Sequence, residues 1–214
     1  MIGNVVDYDK KFRDDFPRFN PSLDPVLKKY LHFVKGSNVL DLGIGQGQNS
    51  IPLANLGFNV TGVDYSSKCI DICKSNCPNL DLIRCDIRKF DIVKNHFDLI
   101  MSRAVLHFFH KDDFYNIIDS IKAGLVKGGL VYISVFSIDE FSLSSKYSKG
   151  CFDLLDRNIL HNLDNDTYVS FFTKDEILSL FDGFEVFSIS DSCFLDISGS
   201  KPHYHGMISF LGRK

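Results

Sequence analysis

The stretch with the most information in this chain reads Asn38-Val39-Leu40-Asp41-Leu42-Gly43-Ile44-Gly45-Gln46-Gly47. A short apolar run followed by glycine at every second position is typical of a buried strand that ends in a tight turn. Residues 48–56 continue with apolar side chains at helical spacing. Glycine lets a ligand approach the backbone closely, and the free N–H groups of a helix start favour negative charge. The stretch therefore predicts a cradle for a nucleotide-type ligand.

Length and charge limit what the protein can be. The chain has 214 residues, enough for one domain with a large core, and its formal net charge is -3. Phosphate binding usually leaves a basic patch, and no dense Lys and Arg cluster is present. No apolar run reaches the length of a membrane span, and the first residues do not resemble a signal peptide. We expect a cytoplasmic monomer or homodimer with no nucleic-acid and no membrane partner.

Further strands follow the glycine turn and alternate with helical patterns, at 58–64, 81–86, 96–102 and 130–136. This alternation predicts an α/β fold with a mostly parallel sheet and helices on both faces. In such sheets the ligand lies at the carboxyl ends of the strands. Polar residues end four of the strands, so their side chains should converge on one site: Asp41, Asp64, Asp86 and Ser102.

The polar residues distinguish between two nucleotide ligands. A dinucleotide fold needs G-x-G-x-x-G, and Gln48 stands where the third glycine belongs. Asp41 would repel a pyrophosphate but suits an ammonium group. The Asp64 carboxylate suits a ribose diol because it can accept from both hydroxyls. Asp86, or a nearby backbone group, suits the exocyclic amine of adenine, and Ile87 suits its ring. Ammonium, ribose and adenine together describe S-adenosylmethionine.

Several motifs in order resemble those of class I S-adenosylmethionine-dependent methyltransferases. They are Val39 to Gly47, Gly62-Val63-Asp64, Cys85-Asp86-Ile87, Phe97-Asp98-Leu99-Ile100 and Lys127-Gly128-Gly129. The resemblance covers about residues 36–137 and implies a Rossmann-like, seven-stranded sheet whose last strand is antiparallel. It also implies S-adenosyl-L-methionine as cofactor and S-adenosyl-L-homocysteine as product.

The residues expected to bind this cofactor are Asp41, Gly43, Gly45, Gly47, Asn49, Asp64, Tyr65, Asp86, Ile87 and Ser102. The chain reads as a single domain, 1–214. Residues 1–36 form its N-terminal helical cap, and the insert 138–172 is expected over the substrate pocket. In the tail, Thr173-Lys174-Asp175-Glu176 is a capping box that predicts a helix start. Strands at 184–190 and 205–211 would form a hairpin.

The acceptor is less clearly indicated. Family members that methylate base amines or glutamine carry (Asp/Asn)-Pro-Pro-(Tyr/Phe) after the fourth strand, where this chain has Ser102-Arg103-Ala104-Val105. We expect a small-molecule substrate instead. His203 and His205 are candidate general bases, and Arg103 is a candidate for steering an anionic substrate. The ordinary interpretations are a solvated loop for either histidine, a local ion pair for Arg103 and helix packing for His107.

A second, weaker resemblance concerns the whole chain. Gly47-Gln48-Asn49-Ser50, the Phe-Thr-x-x-Glu helix and the terminal Pro-His-x-His are similar to tellurite-resistance-type methyltransferases, which act on soft nucleophiles such as tellurite and selenite. The insert departs from that pattern. An RNA methyltransferase, a cofactor-binding regulatory module without turnover and a dehydrogenase stay as alternatives.

Cysteines recur every fourth residue at Cys69, Cys73 and Cys77, so they should share one helix face. A soft-metal site is one interpretation. Buried packing is the other, and it is favoured because the usual short zinc spacing is absent and free cysteine is usually buried. We expect no metal.

Overall fold

The computed structural model describes residues 20–139, 152–156, 158–163, 167–196 and 203–214. Within these residues, seven strands form one sheet in the order β3-β2-β1-β4-β5-β10-β9. The bounds are β1 Asn38–Leu42, β2 Asn59–Asp64, β3 Asp81–Arg84, β4 Phe97–Arg103, β5 Leu125–Phe136, β9 Glu185–Asp196 and β10 His203–Arg213. β1 to β5 run parallel, and β10 is antiparallel to both β5 and β9. The predicted Rossmann-like methyltransferase topology is confirmed.

Helices cover both faces of this sheet. They are α1 Pro25–Tyr30, α2 Ser50–Asn55, α3 Ser67–Asn76, α4 Lys111–Gly124 and α5 Lys174–Leu180, with short 3-10 turns at Leu31–Phe33, Ile87–Lys89 and Leu106–Phe108. In β1, Val39 joins the core under α1, α2 and α3, and Leu40 joins the core under α4 and α5. This alternation is what a strand buried on both faces requires. None of the described helices has the length and apolar character needed to span a membrane.

Side-chain caps start several of the helices. Asp24 caps α1, and Thr173 accepts the N–H of Glu176 at 3.1 Å, which confirms the predicted start of α5. The turn predicted at 127–129 lies within the bounds of β5 and interrupts its pairing with β4, since Leu125 is opposite Phe97 but Leu130 is opposite Leu99. Gly128 has a φ of 81° there, and the backbone groups of Gly128 and Gly129 form hydrogen bonds with Lys214.

The segment predicted as an insert contains a second, three-stranded antiparallel sheet. Its strands are β6 Phe152–Asp156, β7 Ile159–Asn162 and β8 Thr167–Ser170. The Ser170 hydroxyl donates to the Phe109 carbonyl at 2.8 Å, and Phe172 pairs with Ser137 just beyond β5. The small sheet and the residues after it are thereby attached to the segments that follow β4 and β5. An insert was predicted here from the sequence, but its strands were not.

The terminal hairpin is longer than expected. β10 pairs with β5 from Met207, opposite Phe136, but its pairing with β9 begins earlier, at His203 opposite Asp196. The outer part of the hairpin therefore extends past the end of β5. The predicted strands at 184–190 and 205–211 covered mainly the part that belongs to the sheet.

Cys69 and Cys73 of α3 and Cys77, which caps its end, are all buried, and Cys73 and Cys77 belong to the core under α1 and α2. Cys73 is fully buried, and its thiol donates to the Gly45 carbonyl at 3.1 Å. Burial raises the pKa of Cys73 to about 12, and nearby acids add to the shift, so the thiol stays protonated. These side chains pack α3 against the glycine turn. No group of three or more His, Cys, Asp or Glu side chains in the described ranges is placed to hold a metal.

Candidate cofactor and acceptor sites

The glycine turn has an open side and a closed side. Gly43 has a φ of 82°, and a Cβ there would lie 2.4 Å from Cγ2 of Val105. Gly45 has a φ of 55°, but a Cβ there would meet nothing within 4 Å. Gly43 is therefore required by both its backbone conformation and the packing of Val105. The backbone at Gly45 borders open space, as a ligand-binding turn should.

Asp64 connects the end of β2 to this turn. Its Oδ2 accepts the N–H of Gly45 at 2.8 Å, and its Oδ1 accepts the N–H of Ser66 at 2.9 Å. These bonds hold the carboxylate at the carboxyl edge of the sheet, directly beside the open part of the turn. The half-exposed Tyr65 side chain adjoins it. A fixed acceptor in this position fits a ribose diol.

Asp41 lies deeper in the same site. Its side chain is buried, and the Ser50 hydroxyl donates to its Oδ2 at 2.6 Å. Burial raises the pKa of Asp41 to about 7; Ser50 opposes the shift, Asp64 adds to it and Arg103 opposes it. A positive group placed here would favour the ionised form, because opposite charges attract strongly where water is excluded. The environment fits the ammonium predicted from the sequence.

Asp86 is held by its own neighbour. Both carboxylate oxygens accept from the Arg88 guanidinium, with the closest pair at 2.6 Å, and Oδ1 also accepts the Arg88 N–H. Burial alone would raise the pKa of Asp86, but the hydrogen bonds and charge of Arg88 outweigh it and lower the pKa below its ordinary value. Ile87 is buried in the core. The adenine role of both residues stays a prediction, and the competing Arg88 favours the backbone option for the exocyclic amine.

Two other residues predicted to bind cofactor bond to the protein itself. The buried Ser102 hydroxyl donates to the Leu42 carbonyl at 2.7 Å, which joins β4 to β1. The Asn49 amide oxygen accepts the N–H of Asp24 at 2.8 Å, which joins α1 to the glycine turn. These bonds give both side chains a structural task, and a direct role with the cofactor stays a prediction.

Arg103 is paired with an acid that sequence analysis missed. Its guanidinium contacts Oδ2 of Asp24 at 3.0 Å and lies 5.7 Å from the ring centroid of Tyr132. The only sequence signal for Asp24 was its position before Pro25, a typical helix start. The N-terminal helix thus closes over the end of β4, and the local ion pair weighed for Arg103 is present.

On the other side of β4, aromatic rings form a stack. The His107 ring lies 3.7 Å from Phe136, and the His205 ring lies 5.3 Å from it, both nearly parallel. His107 is buried and His205 is half-buried. His203 begins β10, but its side chain lies outside the described residues. Phe136 ends β5, so the stack stands at the carboxyl edge of the sheet, where an acceptor would meet the cofactor.

The described residues fit the predicted cofactor on three independent points. The turn is open at Gly45, a fixed carboxylate stands at the end of β2, and a buried carboxyl with a raised pKa stands at the end of β1. Residues 39–129 match the family described as "Methyltransferase domain". Over these residues the chain carries a class I S-adenosylmethionine-dependent methyltransferase domain. The predicted family and cofactor are confirmed.

Relatives in sequence match part of the methyltransferase chain. The ubiquinone biosynthesis O-methyltransferase of Coxiella burnetii is 35% identical over 85 residues, 33% of this chain and 36% of the relative. The probable S-adenosyl-L-methionine-dependent methyltransferase TehB of Haemophilus influenzae is 33% identical over 108 residues, 48% of this chain and 37% of the relative. The chain thus spans little more than a third of these relatives' length.

Solved structures agree over nearly the whole methyltransferase fold. A SAM-dependent methyltransferase of Methanosarcina mazei has a TM-score of 0.72 at 19% identity, covering 90% of this chain and 98% of that one. TehB of Haemophilus influenzae has a TM-score of 0.66 at 20% identity, covering 88% and 61%. At these identities the likeness shows the fold.

Proposed function

We propose that the protein is an enzyme that methylates a small molecule with S-adenosylmethionine. The observation that carries this is the set of strand-end groups beside the open glycine turn, Asp41 and Asp64 above all. When bound, the cofactor supplies an electrophilic methyl group and leaves as S-adenosylhomocysteine. The protein's own contribution is alignment of the acceptor and exclusion of water.

Each side chain then has a defined task. Asp41 binds the ammonium, Asp64 binds the ribose hydroxyls, and the segment at Asp86 and Ile87 faces the adenine. Helix α1 contacts the end of β4 through Asp24, and the small β6–β8 sheet contacts the segment after β4 through Ser170; we propose that both exclude water from the reacting atoms. We propose that the acceptor enters between this small sheet and the terminal hairpin, next to Phe136 and His205.

We further propose a soft nucleophile, such as a thiol, tellurite or selenite, as the acceptor. The similarity to TehB over 108 residues supports this, as does the absence of the Pro-Pro motif after β4. A soft anion needs no general base, whereas a phenol, alcohol or ammonium nitrogen must lose a proton. The likeness to the ubiquinone O-methyltransferase lies within 85 residues and therefore informs mainly about the cofactor side.

The test is a turnover assay with a panel of acceptors. Purified protein, S-adenosylmethionine and one acceptor at a time (tellurite, selenite, an alkyl thiol, a catechol or a short RNA) are incubated, and S-adenosylhomocysteine and methylated product are measured by mass spectrometry. We expect both products with a soft acceptor and neither with an Asp64→Ala variant. An exposed acid on α3, Asp71, supplies the matched control Asp71→Ala, which should retain full activity.

Other outcomes favour the alternatives. Turnover of the catechol alone would replace the soft nucleophile by an oxygen acceptor, and turnover of RNA alone would overturn the small-molecule proposal. Tight S-adenosylhomocysteine binding without turnover of any acceptor would support a regulatory module. Binding of a nicotinamide cofactor in place of S-adenosylhomocysteine would support a dehydrogenase and remove the proposed function entirely.

A further inference from the structure

A polar cluster lies beneath the N-terminal helix, at the edge of the cofactor site. It consists of Asp24, Asp41, Asn49, Arg103 and Tyr132, contributed by the cap of α1, β1, the glycine turn, β4 and β5. β1 and β4 are adjacent, with Asp41 opposite Met101, so Arg103 stands two residues further along the neighbouring strand. The positive charge of Arg103 acts on Asp41: it lowers the pKa of that carboxyl, which opposes the effect of burial. A cation and an acid of the cofactor site are thus neighbours.

Asp24 holds the arginine from the opposite side. Its Oδ1 accepts the N–H groups of Val26 and Leu27 as the cap of α1, and its Oδ2 pairs with Arg103 at 3.0 Å. Its own N–H donates to Asn49 on the glycine turn. Asp24 is therefore fixed by the backbone at two points. It presents a rigid counter-charge that sets the position of the guanidinium.

The arginine retains hydrogen-bonding capacity. Nε of Arg103 is buried and makes no hydrogen bond within the part of the chain that the structure describes. The Arg103 side chain as a whole is 35% exposed, so guanidinium N–H groups that do not face Asp24 are open to a ligand. A guanidinium has five N–H donors in a planar fork suited to a carboxylate. The second partner should therefore be an anion.

We propose that Arg103 binds the α-carboxylate of the cofactor's methionine group and that Asp24 is its positioning residue. This inference rests on the proposed function, since it assumes that Asp41 receives the ammonium. The ammonium and the carboxylate of an amino acid share one carbon, so their protein partners must be neighbours of opposite charge. Asp41 and Arg103 satisfy that requirement. The assignment replaces the expectation that Arg103 steers an anionic substrate.

Calorimetry with three ligands tests the assignment without turnover. S-adenosylhomocysteine carries both groups, its decarboxylated analogue keeps the ammonium alone, and methylthioadenosine lacks both. For Arg103→Met, which keeps length but loses charge, we expect S-adenosylhomocysteine affinity to fall about 10- to 100-fold, as for the loss of a charged hydrogen bond. Affinity for the two ligands without a carboxylate should stay within about twofold.

Two conservative variants complete the series. Arg103→Lys restores the charge but not the fork, so it should recover part of the lost affinity. Asp24→Asn keeps a good helix cap while removing the counter-charge, so it should weaken S-adenosylhomocysteine by a smaller factor, about threefold. Thermal melts of each variant verify folding. If Arg103→Met does not fold, these two variants decide the question with the same ligands.

The contradicting results are distinct. An equal loss for all three ligands would show that Arg103 only supports the fold of the site. Unchanged S-adenosylhomocysteine affinity with a raised KM for the acceptor would return Arg103 to substrate steering. If the wild-type protein binds none of the three ligands, the proposed function itself fails, and that outcome is recognised before any variant is measured.

Discussion

The proposed site of the methyl donor, here called the donor side, and the proposed site of the methyl acceptor, the acceptor side, are held together by different kinds of contact. On the donor side, acids at strand ends bond to nearby backbone and side chains, as Asp64 does with Gly45 and Asp41 with Ser50. On the acceptor side, contacts join segments far apart in sequence, as Ser170 does with Phe109 and His205 with Phe136. The donor side has charged groups and fixed hydrogen-bond acceptors, whereas the described part of the acceptor side has mainly aromatic rings. The bonds that hold these two acids thus stay within residues 41–66, whereas the contacts on the proposed acceptor side depend on tertiary packing.

The strongest test of the donor side is Asp64→Ala. The variant removes the proposed acceptor of both ribose hydroxyls and leaves the Gly45 N–H without its partner. We expect S-adenosylhomocysteine affinity by calorimetry to fall by at least about 100-fold, since each lost charged hydrogen bond is worth roughly 1.5–3 kcal/mol. Asp71→Ala should bind like wild type. Near-wild-type affinity in Asp64→Ala would remove this residue from the site.

Asp41 provides a pH test on the same side. Binding an ammonium requires the carboxylate, and burial raises the pKa of Asp41 to about 7. S-adenosylhomocysteine affinity should therefore fall as the pH drops below 7, by up to about tenfold per pH unit. Methylthioadenosine, which lacks the ammonium, should show no such slope. A flat profile for both ligands would show that Asp41 does not receive the ammonium.

The same shift affects stability without ligand. Between about pH 4 and pH 7 the unfolded chain has already lost this proton while the folded protein keeps it, so rising pH destabilises the fold. A rise from 3.8 to about 7 corresponds to a penalty on the order of 4 kcal/mol at pH 8. Asp41→Asn should therefore melt at a higher temperature than wild type at pH 8 and bind S-adenosylhomocysteine more weakly. Equal melting temperatures at pH 8 would contradict the buried charge.

His205 tests the acceptor side. Removing a ring stacked on Phe136 should lower kcat/KM for the acceptor by about 3- to 10-fold, the range for a lost aromatic pair. S-adenosylhomocysteine affinity should not change. Tyr204→Ala, from an exposed position on the same strand, is the matched control. A loss in His205→Ala of about 100-fold or more, with a pH-dependent rate, would identify a general base instead.

The smallest expected effect is at the junction of the two sides. Ala104 follows β4 with a φ of 56°, held by bonds from its N–H to the carbonyl and hydroxyl oxygens of Ser134. This conformation costs a non-glycine residue roughly 1–2 kcal/mol. Ala104→Gly should raise the melting temperature by about 2 °C, with part of the gain lost to unfolded-state entropy. Asn95→Gly, at a φ of 49° outside the site, should gain less because Asn tolerates this region.

Most of the donor side could be predicted from the sequence. The spacing of the apolar residues predicted the bounds of β1 to β4 to within about two residues. The acids at the strand ends indicated the ligand. These features are local, because a strand, a glycine turn and a cap each depend on a few adjacent residues. The partner of Arg103 was not predictable, since it depends on how α1 docks on the end of β4.

The acceptor side was predicted in outline only. An insert was predicted at 138–172, but β6, β7 and β8 are too short for periodicity to separate them from a loop. The stack of His107, Phe136 and His205 joins three elements that only the folded sheet brings together. His107, expected to pack in a helix, lies in a 3-10 turn, and its ring faces Phe136. No local sequence pattern predicts such contacts, because they exist only once the whole sheet has formed.

The β9–β10 hairpin extends past the end of β5, and this extension affects how the protein moves. Before Met207, at residues 203–206, β10 pairs with β9 and no longer has β5 as a strand partner, so this outer ribbon has less support than the strands within the sheet. Segments with fewer neighbours open more often, and their amide hydrogens exchange faster. His205 lies on this ribbon, so we expect the acceptor side to open locally more often than the rest of the sheet. Binding of the acceptor should then slow the exchange of the amide hydrogens of residues 203–206. The amides of β1 should be protected with and without the acceptor.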